Sequence, residues 1–280
     1  MTDYSKIKLI ALDLDETTLN EQGQLTKRTR RAIENAIKKG IHIVIASGRA
    51  YCALPKDVLE ISGIEYAITS NGATIYRVSN EECILSYKIN ERAVDDIIDL
   101  KNRYPITFEA FIDGIAYADS AYIENPMKYN VPMRAKHYLD TTRKPVDDMA
   151  LFISKNREVL DSIDIVVPSL EIRDTISDYI RRWRSEVYVT SSVPYLVEIA
   201  DNKAGKGAAL KSLCGVLGID LESCAAFGNA DNDIDMIKEC GIGIAVANAT
   251  ASCLACADIT APSHGEDGVA EIMEKIIKNR

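Results

Sequence analysis

The sequence has no long apolar run. None of its hydrophobic stretches approaches the ~20 residues that a transmembrane helix needs, and the run that begins at Ile7 is interrupted by Asp13 and Asp15. The N-terminal segment therefore lacks the uncharged stretch and the small-residue cleavage site of a signal peptide. We expect a cytoplasmic protein with no membrane partner. Internal repeats and low-complexity tracts are also missing from the sequence.

Basic residues are outnumbered by acidic ones. The 280-residue chain has 33 Lys and Arg against 42 Asp and Glu, a formal net charge of −9 at pH 7. A negative chain repels phosphate backbones, so nucleic acid is not an expected partner. Hydrophobic residues at 47% and charged residues at 27% disfavour a disordered or fibrous protein. The seven cysteines are odd in number and scattered, which favours free thiols over a disulfide framework.

Both ends of the chain have the pattern of a parallel α/β sheet. Short, β-branched strands are expected at 7–12, 42–46 and 66–69, with an amphipathic helix at 26–39. A strand, helix and strand at this spacing require a parallel crossover and predict a doubly wound sheet. The same pattern recurs near the C-terminus, with helices at 206–217, 232–240, 249–257 and 267–278 and strands at 224–227, 242–246 and 258–261.

The middle of the chain has a different pattern. Residues 108–112 and 115–118 alternate in polarity, and the Asp113-Gly114 pair between them is a strong hairpin-turn signal. Such alternation is typical of an antiparallel sheet. We therefore expect a doubly wound, Rossmann-like core domain of residues 1–81 and 192–280. An α+β domain of residues 82–191 is inserted into it, so the core is discontinuous.

The first candidate functional segment contains Asp13 and Asp15, at the end of the first strand. Ligands of open α/β sheets bind beyond the carboxyl ends of the strands, and residues i and i+2 of an extended segment face the same way. Two close carboxylates repel each other unless a cation or a shared proton lies between them. Mg²⁺ prefers oxygen ligands and meets that requirement. The alternative is that two acids merely end a strand in a turn.

Two further segments have side chains suited to an anion. Ser47 and Gly48, followed by Arg49, come at the end of the second strand and offer a hydroxyl and backbone amides. Lys206 lies between two glycines at the start of a helix, where its charge suits a phosphate. The pattern is not a P-loop, because Gly207 follows the lysine in place of Ser or Thr.

The fourth segment runs from Gly228 to Asp233, directly after the strand at 224–227. Its acid and amide oxygens, on Asn229 and Asp233, could complete a metal shell. The alternative is a simple N-cap for the helix that follows.

The four segments, in this order, resemble the haloacid dehalogenase-like superfamily of phosphotransferases, and within it the Cof-type, sugar-phosphatase-like branch. That branch has a large α/β cap between the second and third motifs, and the segment 68–73 resembles its turn before the cap. The resemblance covers residues 6–80 and 193–278, whereas the cap resembles the family only in size and position. It implies that the inserted domain is a cap that closes to exclude water.

The resemblance implies a two-step phosphatase mechanism. Asp13 would attack phosphorus to form an aspartyl-phosphate. Asp15 would protonate the leaving alcohol and then take a proton from water. Ser47 and Lys206 would hold and neutralise the phosphoryl oxygens, aided by Mg²⁺. The implied metal ligands are Asp13, Asp15, Asn229 and Asp233, and the implied substrate contacts are Ser47, Gly48, Arg49, Asn71, Gly72, Lys206 and Asn232.

Two positions depart from the family pattern. Glu16 stands where the family usually has Gly, and Asn229 where it usually has Asp. Asn229 keeps an oxygen but loses a charge, so Mg²⁺ affinity should fall unless Asp233 or Glu16 compensates. A solvent-facing Glu16 tolerated in the turn is the alternative.

The expected substrate is a small phosphorylated metabolite, a sugar phosphate first of all, and the expected assembly is a monomer or weak homodimer. Two other functions stay open. A phosphomutase would keep Asp13 but pass the phosphoryl group to a second substrate. A sugar-phosphate-binding protein would have lost turnover through the changes at Glu16 and Asn229.

Overall fold

The computed structural model describes residues 4–279 and divides them into two compact units. Unit 1 consists of the described residues up to Gly48, of Leu54–Ile84 and of those from Gly205 onward. Unit 2 consists of Arg49–Ala53 and Leu85–Ala204. The first three residues and the last residue of the predicted core domain lie outside the described residues. None of the helices in the described part of the chain is long and apolar enough to span a membrane.

The elements are numbered in chain order. The strands are β1 (Leu9–Leu12), β2 (His42–Ala46), β3 (Ile64–Thr69), β4 (Thr74–Arg77), β5 (Glu82–Ser86), β6 (Thr107–Ile112), β7 (Ile115–Asp119), β8 (Arg143–Val146), β9 (Ser162–Val166), β10 (Val187–Thr190), β11 (Leu196–Asp201), β12 (Cys224–Gly228), β13 (Ile242–Val246) and β14 (Ile259–Ala261). The α-helices are α1 (Lys27–Lys38), α2 (Lys56–Leu59), α3 (Glu91–Asp99), α4 (Ser120–Glu124), α5 (Lys136–Thr142), α6 (Met149–Lys155), α7 (Leu170–Trp183), α8 (Lys206–Leu217), α9 (Ile234–Glu239), α10 (Ala251–Cys256) and α11 (Gly268–Lys278).

Unit 1 is built on an eight-stranded sheet in the order β14-β13-β12-β1-β2-β3-β4-β5. The strands from β14 to β3 in this order are parallel, and β4 is antiparallel to β3. Strands β1 and β12 are buried along their whole length, as expected for apolar strands covered on both faces. The doubly wound core is confirmed, and β4 and β5 extend it at one edge.

The helices of unit 1 begin and end close to the residues expected. Thr26 caps α1 by accepting a hydrogen bond from Thr29 N at 3.1 Å, and Gly40 follows the helix with a φ of +73°. The helix expected at 232–240 is shorter. A single 3₁₀ turn at Asp231–Asp233 comes first, and α9 begins at Ile234.

Unit 2 is built on a six-stranded sheet in the order β10-β11-β9-β6-β7-β8. The hairpin of β6 and β7 turns at Asp113 and Gly114, which both have positive φ as a two-residue hairpin requires. The sheet is antiparallel as expected except at one edge, where β8 is parallel to β7. The reason is the long connection from 120 to 142, which includes α4 and α5 and returns the chain to the same end of the sheet.

The boundaries between the compact units differ from those drawn on the sequence. The chain changes from unit 1 to unit 2 after Ile84, and returns after Ala204. The second boundary lies beyond the expected position at 191/192 because β11 pairs with β9 and β10 in the sheet of unit 2. Residues 49–53 also belong to unit 2.

Candidate active site

A buried lysine lies between two carboxylates at the carboxyl edge of the unit 1 sheet. Lys206 Nζ is 2.7 Å from Asp13 Oδ1 and 2.6 Å from Asp233 Oδ1, and Lys206 is fully buried. Asp13 directly follows β1, Lys206 is the first residue of α8, and Asp233 comes from the turn after β12. The parallel sheet brings these segments together because β1 and β12 are neighbours and end at the same edge.

The charged groups of this cluster shift one another's pKa values. Burial raises the pKa of Asp13 to about 7, and the carboxylate of Asp233 adds to that effect against the opposing effect of Lys206. Burial on its own would lower the pKa of Lys206, but Asp13 and Asp233 together raise it above its ordinary value. Lys206 is therefore a permanent cation at neutral pH, held by two acids.

Asp233 is held on both of its oxygens. Oδ1 contacts Lys206, and Oδ2 accepts hydrogen bonds from the backbone N–H groups of Asn229 at 2.9 Å and Ala230 at 3.1 Å. Its carboxylate thus fixes the loop after β12 and orients the lysine. Its expected role as a direct metal ligand stays a prediction.

The side-chain amide of Asn229 lies between the loop after β1 and the loop after β12. With its nitrogen toward β1, it donates to Thr17 Oγ1 at 3.0 Å, to the backbone oxygen of Asp15 at 3.2 Å and to Asp13 Oδ2 at 3.3 Å. The hydrogen-bond network of the protein alone favours this orientation. The opposite orientation accepts a hydrogen bond from Thr17 Oγ1 and places the amide oxygen beside two other acceptors.

These atoms fit Mg²⁺. A carboxylate oxygen of Asp13, the carbonyl oxygen of Asp15 and the amide oxygen of Asn229 are hard ligands, and this ion prefers such ligands at short distances. A cation would remove the repulsion that disfavours the oxygen-facing orientation of Asn229. Within residues 4–279, no group of three or more His, Cys, Asp or Glu side chains could hold a metal ion. A magnesium ion bound here would therefore use backbone and amide oxygens besides a carboxylate.

A strained turn, residues 70–72, contacts other predicted segments of the site. Ser70, Asn71 and Gly72 have φ values of 49°, 53° and 88°. Asn71 N donates to Ser47 O at 3.2 Å, and Asn71 O accepts from Gly205 N at 2.9 Å. The Asn71 side chain also accepts from Asn232 Nδ2 at 2.9 Å. The turn therefore holds the Ser47 loop and the start of α8 at fixed positions.

Gly72 is the point where the turn and α8 come closest. A Cβ atom at Gly72 would lie 2.2 Å from the carbonyl oxygen of Gly205, a separation that no side chain can occupy. Both the close approach and the positive φ require glycine at this position.

Ser47 and Arg49 are separated by the division into units. Ser47 is buried in unit 1, with its N–H donating to Ile68 O at 2.9 Å. Gly48 is the last residue of that stretch of unit 1. Arg49 belongs to unit 2, where its guanidinium lies 4.7 Å from the centre of the Tyr138 ring and donates to Ala53 O at 2.9 Å. Arg49 is thus part of unit 2, and its expected contact with the substrate stays a prediction.

Asp15 and Glu16 form the exposed part of the turn after β1. Asp15 has extended backbone angles, whereas Glu16 has a φ of 56° and a ψ of 17°. This backbone conformation explains why the family usually has glycine at position 16, because left-handed angles are strained for other residues.

Sequence reasoning missed two residues that hold this turn. Thr17 is buried and bonds to Asn229. Asn248 Nδ2 donates to Glu16 O at 2.8 Å, and Asn248 Oδ1 accepts from His264 N at 3.0 Å. Asn248 follows β13 at the carboxyl edge of the sheet, so the strand-end rule that indicated Asp13 would have indicated it too.

The comparisons with known proteins agree with this geometry. The family model of haloacid dehalogenase-like hydrolases matches residues 10–273. The chain belongs to this family. The phosphatase YwpJ of Bacillus subtilis (strain 168) is 26% identical over 97% of this chain and 100% of its own length. The 5-amino-6-(5-phospho-D-ribitylamino)uracil phosphatase YcsE of the same organism is 28% identical over 95% of this chain and 94% of its own.

The solved structures agree with the family assignment. A haloacid dehalogenase-like hydrolase from B. subtilis has a TM-score of 0.82 at 25% identity, covering 96% of this chain and 99% of the other. The expected family and its α/β fold are therefore confirmed. The names of the relatives support the expected class, phosphoric monoester hydrolase.

Proposed function

We propose that this protein is a Mg²⁺-dependent phosphatase that hydrolyses a small phosphorylated metabolite, first of all a sugar phosphate, through an aspartyl-phosphate on Asp13. The observation that carries the proposal is the buried contact between Lys206 and Asp13 at the carboxyl edge of the sheet. A permanent cation beside a nucleophilic carboxylate is suited to the negative charge of a phosphoryl group.

In the first step, an Asp13 oxygen forms a bond to phosphorus while the bond from phosphorus to the substrate alcohol breaks. Asp15 donates its proton to the leaving oxygen. In the second step, Asp15 takes a proton from water, the water oxygen bonds to phosphorus, and the bond to Asp13 breaks to release inorganic phosphate. Lys206 and Ser47 hold the phosphoryl oxygens throughout, and the turn at Asn71 keeps Ser47 in place.

Asp13, the Asp15 carbonyl and the Asn229 amide oxygen would hold the magnesium ion. When bound, the ion supplies positive charge that favours the ionised form of Asp13 and stabilises the phosphoryl oxygens. Asp233 contributes by orienting Lys206 and the loop after β12. This assignment gives each acid of the cluster a separate task.

The name of one relative supports a small substrate. YcsE is named for a phosphoribitylamino compound, a small molecule with a phosphorylated sugar-alcohol chain. Specificity is expected to reside in unit 2. The cytoplasmic location, the monomeric or weakly dimeric state and the absence of a nucleic-acid partner stay predictions.

A phosphate-release screen over sugar phosphates, nucleotides and cofactor phosphates tests the function. Each compound is assayed with and without Mg²⁺, and products are analysed for free phosphate and for phosphorylated isomers. We expect magnesium-dependent release of inorganic phosphate from a subset of sugar phosphates. Transfer to a second hydroxyl without free phosphate would show a mutase. Thermal stabilisation by a ligand without any turnover would show a binding protein.

A further inference from the structure

The turn after β1, residues 13–19, is fixed at its base by the rest of unit 1. Asp13 N donates to Phe227 O at 3.1 Å, and Leu19 N donates to Leu14 O at 2.9 Å. The hydroxyl of Thr18 donates to the backbone oxygen of Asp13. These hydrogen bonds hold the two ends of the turn against the sheet.

The apex of the turn is exposed and strained. Both Asp15 and Glu16 lie at the surface, and Glu16 has a φ of 56° and a ψ of 17°. Because this left-handed conformation is unfavourable for a residue with a Cβ atom, the backbone at Glu16 tends to relax to other angles. Such a relaxation would rotate the peptide group that joins Glu16 to Asp15 and would move the Asp15 carboxyl group. Contacts that hold the apex therefore determine where that carboxyl group lies.

Asn248 holds the backbone at this apex. Its Nδ2 donates to Glu16 O at 2.8 Å, and its Oδ1 accepts from the backbone N–H of His264 at 3.0 Å. Both partners are backbone groups with a single role each, so the orientation of the Asn248 amide is determined. A hydrogen bond and the strain at a left-handed residue are similar in size. This contact is therefore strong enough to keep Glu16 in its conformation.

His264 connects Asn248 to the far end of the turn. Its ring Nδ1 lies 3.0 Å from Leu19 O. A carbonyl oxygen can only accept, so Nδ1 carries the hydrogen and donates. Asn248 follows β13, and His264 begins the 3₁₀ turn after β14. The loops after two neighbouring strands thus hold the turn at two of its backbone oxygens.

The position of these contacts indicates a task in catalysis. Asn248 is exposed and His264 is half-buried, so neither side chain fills the core of unit 1. Their hydrogen bonds end on the turn that carries Asp15, the proposed proton donor. A displacement of a catalytic group by about 1 Å can slow a reaction about a hundredfold.

We propose that Asn248 and His264 are positioning residues that hold Asp15 where it transfers protons. This role rests on the phosphatase reaction proposed above, in which Asp15 protonates the leaving oxygen and then takes a proton from water. Asn248 and His264 act through the backbone of the turn and not on the substrate itself. Their loss should slow the two proton transfers and leave the attack by Asp13 intact.

The dependence of the rate on the leaving group tests this role. Two esters are compared at saturating Mg²⁺. The first is p-nitrophenyl phosphate, whose nitrophenolate leaves without a proton, and the second is ribose 5-phosphate or glucose 6-phosphate, whichever the wild type hydrolyses faster. Asn248→Asp loses the donor to Glu16 O but keeps the acceptor for His264 N, and His264→Ala loses the ring donor. Each should lower kcat/KM about tenfold or more for the sugar phosphate, but less than about threefold for the aryl ester.

A second measurement follows the covalent intermediate. The attack of water also needs Asp15, so the phosphorylated enzyme should accumulate in Asn248→Asp and in His264→Ala. Mixing with p-nitrophenyl phosphate should then give a larger rapid burst of nitrophenol than in the wild type, followed by slower turnover. This measurement needs only the aryl ester, so it applies even if neither sugar phosphate is hydrolysed.

Three further variants serve as references, and circular dichroism first shows that each is folded. His264→Asn keeps a side-chain N–H group at the same distance along the chain as Nδ1 and should restore most of the lost rate. Asp15→Asn should show the same dependence on the leaving group more strongly. Asn279→Ala, which removes an exposed side-chain donor to Lys275 O at 2.7 Å, should behave as the wild type does.

Two results would overturn the positioning role while the proposed function stands. In the first, Asp15→Asn depends on the leaving group, but Asn248→Asp and His264→Ala keep the wild-type values. In the second, these two variants lose activity equally on both esters, because the site is then damaged in general. Failure of the proposed function is distinct: the wild type releases no phosphate, or Asp15→Asn shows no dependence on the leaving group, and the positioning role is then wrong as well.

Discussion

Lys206 donates a hydrogen bond of 2.7 Å to Asp13, and the lysine side chain has no exposed surface. The pair joins the end of the first strand to the start of α8, residues that are 193 positions apart in the sequence. A second carboxylate, Asp233, completes the cluster. The fold and the proposed chemistry thus depend on the same cation.

Lys206→Met should therefore destabilise the protein strongly. The change leaves two buried carboxylates without their cation, and breaking a buried pair in this way costs about 3–5 kcal/mol. Urea unfolding at neutral pH measures the effect. Lys275→Met serves as the control, because Lys275 makes an exposed ion pair with Glu271 worth at most about 0.5 kcal/mol. Similar losses of unfolding free energy in Lys206→Met and Lys275→Met would contradict this explanation.

Gly72→Ala should reduce both stability and activity. Its Cβ would meet the backbone of Gly205, which cannot move without displacing Lys206. Gly40→Ala is the matched control, because Gly40 has a similar φ of +73° and a Cβ added there would have nothing within 4 Å. We expect the control to lose about 1 kcal/mol from backbone strain alone. Gly72→Ala should lose at least twice as much, and equal losses would show that the contact is unimportant.

Glu16 can be tested for strain and for charge separately. Glu16→Gly should raise the free energy of unfolding by about 1 kcal/mol, because glycine adopts a φ of 56° without a steric penalty. Glu16→Ala keeps the strain and should not gain stability. Equal changes in the free energy of unfolding for Glu16→Gly and Glu16→Ala, measured by chemical denaturation, would contradict this explanation.

Mg²⁺ titration of the same variants tests whether Glu16 supplies charge to the metal site. Both substitutions remove the carboxylate, so both should weaken Mg²⁺ binding under that hypothesis, whereas Asn229→Asp should strengthen it. Calorimetric titration of the protein without substrate measures the affinities. Unchanged affinity in all three variants would rule out a role for either position in metal binding.

Three buried acids on neighbouring strands of unit 2, Glu109 in β6, Asp164 in β9 and Glu198 in β11, predict a dependence of stability on pH. The raised pKa of Asp164 means that the native state keeps a proton that the unfolded state has released above about pH 4. Stability should therefore fall as the pH rises from there toward the raised pKa. The groups that face Asp164 are Glu109 and Glu198, with Arg143 as the cation.

Asp164→Asn lacks this titration. Its stability relative to the wild type should increase as the pH rises above about pH 4, as measured by urea unfolding at each pH. Asp178→Asn, whose acid is exposed, should follow the wild type throughout. If the difference in unfolding free energy between Asp164→Asn and the wild type does not change with pH, Asp164 has no raised pKa in the native state.

Sequence patterns were most informative where a side chain follows a strand directly. Asp13 and Asn229 directly follow β1 and β12, and a parallel sheet brings such residues to one edge whatever their separation in sequence. Asp233 was expected near the metal, but its contacts with Lys206 depend on the geometry of a turn. Arg49 was expected near Ser47 because the two are only two residues apart in sequence. Its contact with the Tyr138 ring depends on tertiary packing, and its expected role toward the substrate stays a prediction.

The adjacency of these three buried acids in unit 2 could not be predicted in the same way. Glu109, Asp164 and Glu198 come from three strands that are distant in the chain, and their alternation with apolar residues is typical of a solvated face. Only the strand register shows that they are adjacent. The boundary of unit 2 after Ala204 differs from the expected domain boundary for a related reason, because the pairing of β11 with β9 is a long-range contact.

The most direct test of the proposed function is the steady-state release of phosphate from an aryl phosphate at saturating Mg²⁺ by the wild type and by Asp13→Asn. Asparagine keeps the shape of Asp13 but is a far weaker nucleophile. We expect release by the wild type and none detectable from the variant, with both proteins folded by circular dichroism. Full activity in Asp13→Asn would contradict the assignment of Asp13 as the nucleophile.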